Sequence, residues 1–114
     1  MTEETTSYLL ADSELLQRAA DILKTVAPPA RLGIINLLEA GEKPVAEICK
    51  HLRAPQPYIS HHLNLMKARG ILSSRRNGSQ VFYSVDNKSV IEVIQCVRRH
   101  AQDLEGCAPA YARR

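Results

Sequence analysis

Between Lys50 and Val85 the sequence has no aspartate or glutamate, and the whole chain has no tryptophan, a single phenylalanine and no long apolar run. Each absence removes a class of protein. No stretch approaches the roughly 18 consecutive apolar residues of a membrane helix, and no basic region followed by an apolar segment opens the chain, so a cytoplasmic protein without a membrane partner is expected. Three cysteines are too few and too odd in number for a disulfide framework, which points to reduced thiols. With no tryptophan and one phenylalanine among 45% apolar residues, the core has to be aliphatic, built from Leu, Ile, Val and Ala. At 114 residues and without a Gly/Ser- or Pro-rich linker, the chain is one compact domain, small enough that dimerisation would help it to fold. There is no glycine-rich phosphate loop, no nucleophile elbow and no suggestively paired carboxylates, so nothing points to an enzyme.

The missing acids matter most, because the basic residues stay. Lys50, Arg53, Lys67, Arg69, Arg75 and Arg76 all fall in the acid-free stretch. Residues 1 to 49 hold four basic and eight acidic side chains, 50 to 85 hold six and none, and 86 to 114 hold five and four. A net charge of +3 therefore conceals a sharp segregation. A polyanion such as nucleic acid is the natural partner of the middle segment. A domain converted to a protein-binding adaptor would instead carry a neutral or acidic face, which this chain lacks.

Residues 1–11 are polar and threonine-rich and read as a flexible N-terminal arm. Asp12 or Ser13 then caps a first helix with the apolar stripe Leu15, Leu16, Ala19, Ala20, Ile22 and Leu23. Pro28-Pro29 ends it and starts a second helix, which Gly41 terminates. A short third helix carries Val45, Ile48, Cys49 and Leu52 on one face. After the turn Arg53-Ala54-Pro55, a fourth runs through Tyr58, Ile59, Leu63, Leu65 and Met66 to Gly70. The third and fourth make a helix-turn-helix pattern. Two alternating runs around Asn77-Gly78 then predict a two-stranded hairpin, placed as a wing. Asp86 caps a last helix bearing Val90, Val93, Ile94, Val97, Ala101 and Leu104. The fold class is thus mainly α with a small β-hairpin, a winged helix-turn-helix domain over 12–104, followed by a loose tail over 105–114.

Three blocks carry a resemblance: Pro29-Ala-Arg-Leu-Gly-Ile-Ile-Asn-Leu-Leu38, Gln56-Pro-Tyr-Ile-Ser-His-His-Leu63 with Lys67-Ala-Arg-Gly-Ile-Leu72, and Arg75-Arg-Asn-Gly-Ser-Gln-Val-Phe-Tyr-Ser84. In this order and spacing they resemble the ArsR/SmtB transcriptional repressors, over about residues 13 to 103. The resemblance implies a homodimer joined through its first and last helices that binds operator DNA and releases it when an inducer binds. It also implies that Gln56, Tyr58, Ser60 and His61 lie near the leading end of a major-groove helix, with Gln56 suited to pair bidentately with adenine and Ser60 and Tyr58 suited to hold phosphate. Arg75, Arg76 and Ser79 would track the backbone from the wing, and Lys50, Arg53 and Lys67 would add general attraction. One departure is Pro55, which stands where many relatives have a capping serine.

The family's inducer sites carry over poorly. The zinc site of some relatives falls on Asn87, Ser89, His100 and Asp103, of which two can ligate. The thiolate site of the arsenic and lead sensors falls on Pro44, Ala46 and Cys49, and the persulfide pair on Asn36 and about Gln102. The chain's own thiols are Cys49, Cys96 and Cys107. Cys96 lies one helical turn from His100, and Cys107 can add a third, soft ligand, a set that favours arsenite, cadmium, lead or copper(I) over magnesium or manganese, with zinc also among the candidate ions. A plainer reading makes Cys49 a core thiol and Cys96 a packing residue. A redox or reactive-sulfur switch through Cys96 and Cys107 is the rival sensor mechanism.

Overall fold

The computed structural model describes residues 3–104, with side chains from residue 12 onward. Helix α1 (Glu3–Val26) begins well before Asp12 or Ser13, so neither is its cap, and its backbone is helical through most of the segment expected to be an arm. Extending an established helix costs far less than nucleating one, and the apolar stripe downstream supplies the nucleus. Helix α2 (Pro29–Leu38) starts as the two prolines require: Pro29 takes the first position, and the Pro28 carbonyl accepts from the Arg31 and Leu32 N–H groups at 2.9 and 3.0 Å.

A strand absent from the sequence reading follows, β1 (Lys43–Pro44), and Pro44 then opens α3 (Val45–Leu52). Two residues are too few to show alternation. The other strands are β2 (Leu72–Asn77) and β3 (Gln80–Val85), and the antiparallel sheet has the order β1-β3-β2, so the wing rests on a three-stranded base instead of standing as a lone hairpin. Asn77 pairs with Gln80 as the last rung, which moves the turn to Gly78-Ser79, one residue beyond the expected Asn77-Gly78. Gly78, at φ 65°, provides the left-handed conformation that a two-residue loop needs.

Helix α4 (Gln56–Ala68) closes with Gly70 at φ 78°, the Gly70 N–H bonding the Lys67 carbonyl and the Ile71 N–H the Met66 carbonyl, both at 3.0 Å. This paired closure uses glycine's freedom to end a helix sharply. The same pair of bonds ends α3, where Arg53 and Ala54 reach Lys50 and Cys49, but there Arg53 itself takes φ 52°. Helix α5 (Lys88–Asp103) is capped by Asn87, whose Oδ1 accepts from the Ser89 N–H at 2.9 Å. Asp86, the expected cap, is held at the sheet end, accepting from the Ser73 hydroxyl at 2.9 Å.

The core is aliphatic, as the composition requires. Ile34, Ile35 and Leu38 of α2, Ile48 of α3, Ile59, Leu63 and Met66 of α4, and Leu72, Val85 and Ile91 form one buried cluster. Spacing of four and then three residues puts the α4 trio on one face, which anchors the helix and leaves its other face outward. Two helices keep large apolar side chains on the surface: Leu15, Leu16, Ile22 and Leu23 on α1, and Val93 and Val97 on α5, with Leu16 66% and Val97 63% exposed. Leu23, Val93 and Val97 line one groove, so the apolar surfaces of the two helices adjoin. Among the described residues no helix is long and apolar enough to cross a membrane.

Candidate nucleic-acid interface

Helix α4 starts without a side-chain cap. Pro55 occupies the cap position and has no side-chain acceptor, its carbonyl accepting from the Ile59 N–H at 3.1 Å, and the first turn has no acidic residue. The Gln56 and Tyr58 N–H groups therefore head the positive end of a helix dipole with no carboxylate in that first turn, an arrangement that favours an anion. Around this end Gln56, Tyr58 and His61 are exposed and Ser60 is half-buried. Tyr58 is 49% exposed although it is a large aromatic residue.

A hollow of about 270 Å³ joins this helix end to the wing and to α3. Gln56, Ser79, Gln80 and Cys49 line it together. The fold thus brings Gln56 and Ser79, separate features in the sequence, to one edge. Cys49 is half-buried and packs against the core, as its place on the apolar stripe implied.

The two wing arginines differ. Arg76 is exposed, with no ion-pair partner among the described residues. Arg75 is clamped by Glu42 in a bidentate pair, its Nε donating to the two carboxylate oxygens at 2.9 and 3.1 Å while Nη2 donates to Oε1. Its guanidinium also lies 4.6 Å above the Phe82 ring. The Arg75 bond holds the Glu42 carboxyl below the usual range, against a smaller opposing effect of burial. The acid-free stretch is therefore not wholly free of acid in space, since Glu42 reaches it through the strand the sequence reading omitted. Lys67 is turned toward the sheet, donating to the Ser74 hydroxyl at 2.7 Å. Lys50 and Arg53 stay exposed at the end of α3.

His61 and His62 also part company. His61 is exposed, whereas His62 turns inward and accepts from the Arg31 Nε at 3.0 Å through Nδ1. Burial, then the Arg31 charge, then His61 hold its imidazole below the ordinary value. Behind the helix, the Tyr83 hydroxyl donates to the Asn64 Oδ1 at 3.2 Å, tying the wing base to α4, and burial raises the Tyr83 phenol. Sequence reasoning had not singled out Arg31, Glu42, Asn64 or Tyr83. Nothing in their local pattern distinguishes them.

Of the thiol and imidazole set, Cys96 and His100 are exposed on α5, and Cys107 lies outside the described residues. No cluster of three or more His, Cys, Asp or Glu suited to a metal occurs among the described residues. Asn36 and Asn87 have structural partners: Asn36 accepts from Arg98 of α5, and Asn87 is the α5 cap. Glu39 completes a clamp between α2 and α5, accepting from Gln95 and lying 3.4 Å from Arg98.

A helix-turn-helix whose second helix offers an uncapped, outward face beside a basic hairpin defines the winged helix-turn-helix class. More narrowly, the chain belongs to the arsR family of bacterial regulatory proteins, whose family model matches residues 28–74, from the start of α2 into the wing. It is 42% identical over 85 residues to MJ1325 of Methanocaldococcus jannaschii, an uncharacterized HTH-type transcriptional regulator, covering 74% of this chain and 96% of that protein. It is 29% identical over 87 residues to the arsenical resistance operon repressor of Staphylococcus xylosus, covering 76% of this chain and 84% of the relative. The homodimeric winged helix-turn-helix DNA-binding domain of Mb0332 from Mycobacterium bovis, a possible ArsR-family transcriptional regulator, superposes with a TM-score of 0.72 at 27% identity, over 81% of this chain and 85% of that one. The family is one of DNA-binding transcriptional regulators, not of enzymes.

Proposed function

We propose that this protein is a cytoplasmic repressor that binds operator DNA as a homodimer and lets go when an inducer binds. The observation that carries the reading is the outer face of α4, uncapped at its start, free of acid and flanked by the wing. In this reading α4 enters the major groove and Gln56 reads a base edge. Tyr58, Ser60 and His61 flank it, Arg76 and Ser79 engage the backbone, and Lys50, Arg53 and Lys67 add attraction that falls with salt. The apolar faces of α1 and α5 pair with those of a second copy, setting the spacing of two recognition helices against half-sites about one helical turn apart. The homodimeric state of the Mb0332 domain supports a dimer.

For the inducer, a thiophilic metal or metalloid is favoured, with Cys96 and His100 as its core and Cys107 or the partner chain's equivalents completing the set; Cys49 is a separate thiol at the wing base. An arsenical resistance repressor among the relatives supports this choice. The exposure of Cys96 favours a second reading, a redox or reactive-sulfur switch, since an accessible thiol can be oxidised as readily as it can ligate. One experiment addresses both. Purified dimer bound to a labelled duplex is challenged with arsenite, cadmium, zinc, lead, copper(I) and a persulfide, alongside Cys→Ser variants at 49, 96 and 107. Release by an ion but not by persulfide, lost with Cys96→Ser, supports metal sensing. Release of the triple variant at wild-type concentrations refutes thiol sensing of either kind.

A further inference from the structure

We infer that Arg31 is a positioning residue that ties the recognition helix to the end of the dimerisation helix through the unprotonated ring of His62, an inference that rests on the DNA-binding reading above. Arg31 sits on α2, between the two helices it connects. Its Nε donates to His62 Nδ1 of α4 at 3.0 Å, and its Nη1 donates to the Thr25 carbonyl of α1 at 3.1 Å. Thr25 is buried, one residue from the end of α1. A guanidinium on a carbonyl there satisfies an otherwise open acceptor at the negative end of the helix dipole. On the other side, the His62 ring meets Tyr58 edge-on, with centroids 4.6 Å apart at 80°. A continuous chain of contacts thus runs from the last turn of α1 through Arg31 and His62 to Tyr58, at the leading end of the DNA-facing surface.

The donor inventory decides how this chain can be broken. Arginine only donates, so His62 Nδ1 must keep its lone pair. A proton on that nitrogen removes the acceptor and sets a second cation against Arg31. The groups around the ring offer no relief: α2 contributes Arg31, and α4 contributes His61 and Tyr58. From α1 comes the Thr25 carbonyl, already used by Arg31, while Arg18 and Asp21 line a neighbouring groove with Arg69. Helix α3 and strand β2 belong to the apolar cluster under α4, through Ile48 and Leu72. Burial and the Arg31 charge keep the proton off near neutral pH. The tie is therefore complete at and above the ordinary imidazole value of about 6.5 and is lost only as pH falls through the ring's own value, which lies below it.

This has a sign opposite to general electrostatics. A histidine that gains a proton near DNA should tighten binding by adding positive charge, whereas protonating His62 should weaken it by releasing α4. His62→Gln supplies the reference, because a glutamine amide oxygen can accept from Arg31 at every pH. The test is fluorescence anisotropy on a duplex enriched from a random pool by the wild-type protein, at about pH 7.5 and about pH 5.5. Between those values wild-type affinity is expected to fall relative to His62→Gln. At the higher pH, Arg31→Gln is expected to weaken binding about fivefold or more, the lower end of coupling between sites, and to add less than about twofold in a His62→Ala background. Sedimentation of each variant checks that the dimer persists. If the wild-type to His62→Gln ratio is flat or rises on acidification, or if Arg31→Gln loses as much in both backgrounds, the inference is wrong while the DNA-binding reading stands. Failure of the wild-type protein to enrich or bind any duplex at the higher pH overturns both.

Discussion

Arg75 and Arg76 are neighbours in sequence, yet their substitution should have unequal effects on DNA binding. Each phosphate contact made by a cation releases counterions and contributes about 0.9 to the slope of log affinity against log salt. In a two-fold symmetric dimer, losing one such contact per protomer flattens the slope by about 1.8. Across a fourfold rise in salt, from about 50 to about 200 mM, that difference changes relative affinity about 12-fold. Arg76 is exposed and without an ion-pair partner among the described residues, so Arg76→Ala should show the full effect. Arg75 is already neutralised by the bidentate Glu42 carboxylate, and Arg75→Ala should flatten the slope by less than half as much. Conversely, Glu42→Gln removes the competing anion and should steepen the slope. Both partners of the pair are substantially exposed, so its loss should leave the fold intact. The assay is titration of a labelled duplex at four or more salt concentrations for wild type and the three variants. Equal flattening by the two arginine substitutions, with no change in Glu42→Gln, would refute the claim that Glu42 withholds Arg75 from DNA.

Leu63, fully buried on the inner face of α4, should cost about 2–5 kcal/mol when cut to alanine, measured by chemical denaturation; a loss below about 1 kcal/mol would mean that this face is not packed as described. Arg53→Gly relieves a left-handed residue and should raise stability by up to about 1 kcal/mol while weakening duplex binding at low salt, so a thermal melt and a binding titration should move in opposite senses. Replacing Leu16 and Val97 by glutamate should turn the dimer into a monomer in sedimentation velocity and lower operator affinity with it, and a dimer of wild-type strength would place the interface elsewhere. His62 adds a pH term to stability: because its imidazole is held below the ordinary value in the folded chain, denaturant midpoints should be highest above about pH 6.5 and decline as the pH falls through it, less so in His62→Gln.

Much of the fold could be read locally. Pro29 and Gly70 mark helix ends because each restricts or frees its own backbone, and the apolar spacing of Ile59, Leu63 and Met66 fixes which side of α4 is inward. Where neighbouring residues compete for one role, local reading slips by a position: Asn87 takes the α5 cap because Asp86 is engaged by Ser73 across the sheet end, and Asn77 becomes a ladder rung so that Gly78-Ser79 turns. Strand β1 was illegible because Lys43 and Pro44 become a strand only by pairing with Tyr83 and Phe82.

The sequence by itself determined the wing, the recognition helix and the segregation of charge between their segment and its flanks, since periodicity, turn chemistry and the absence of acids are properties of contiguous residues. Only the tertiary structure decided which of those charges remain available. Glu42 reaches Arg75 across 33 positions and Arg31 reaches His62 across 31, distances along the chain at which no local pattern specifies a partner. Such pairs exist because helices and strands dock in one particular way, and docking is set by the shape of the whole apolar core, not by any segment that contributes to it.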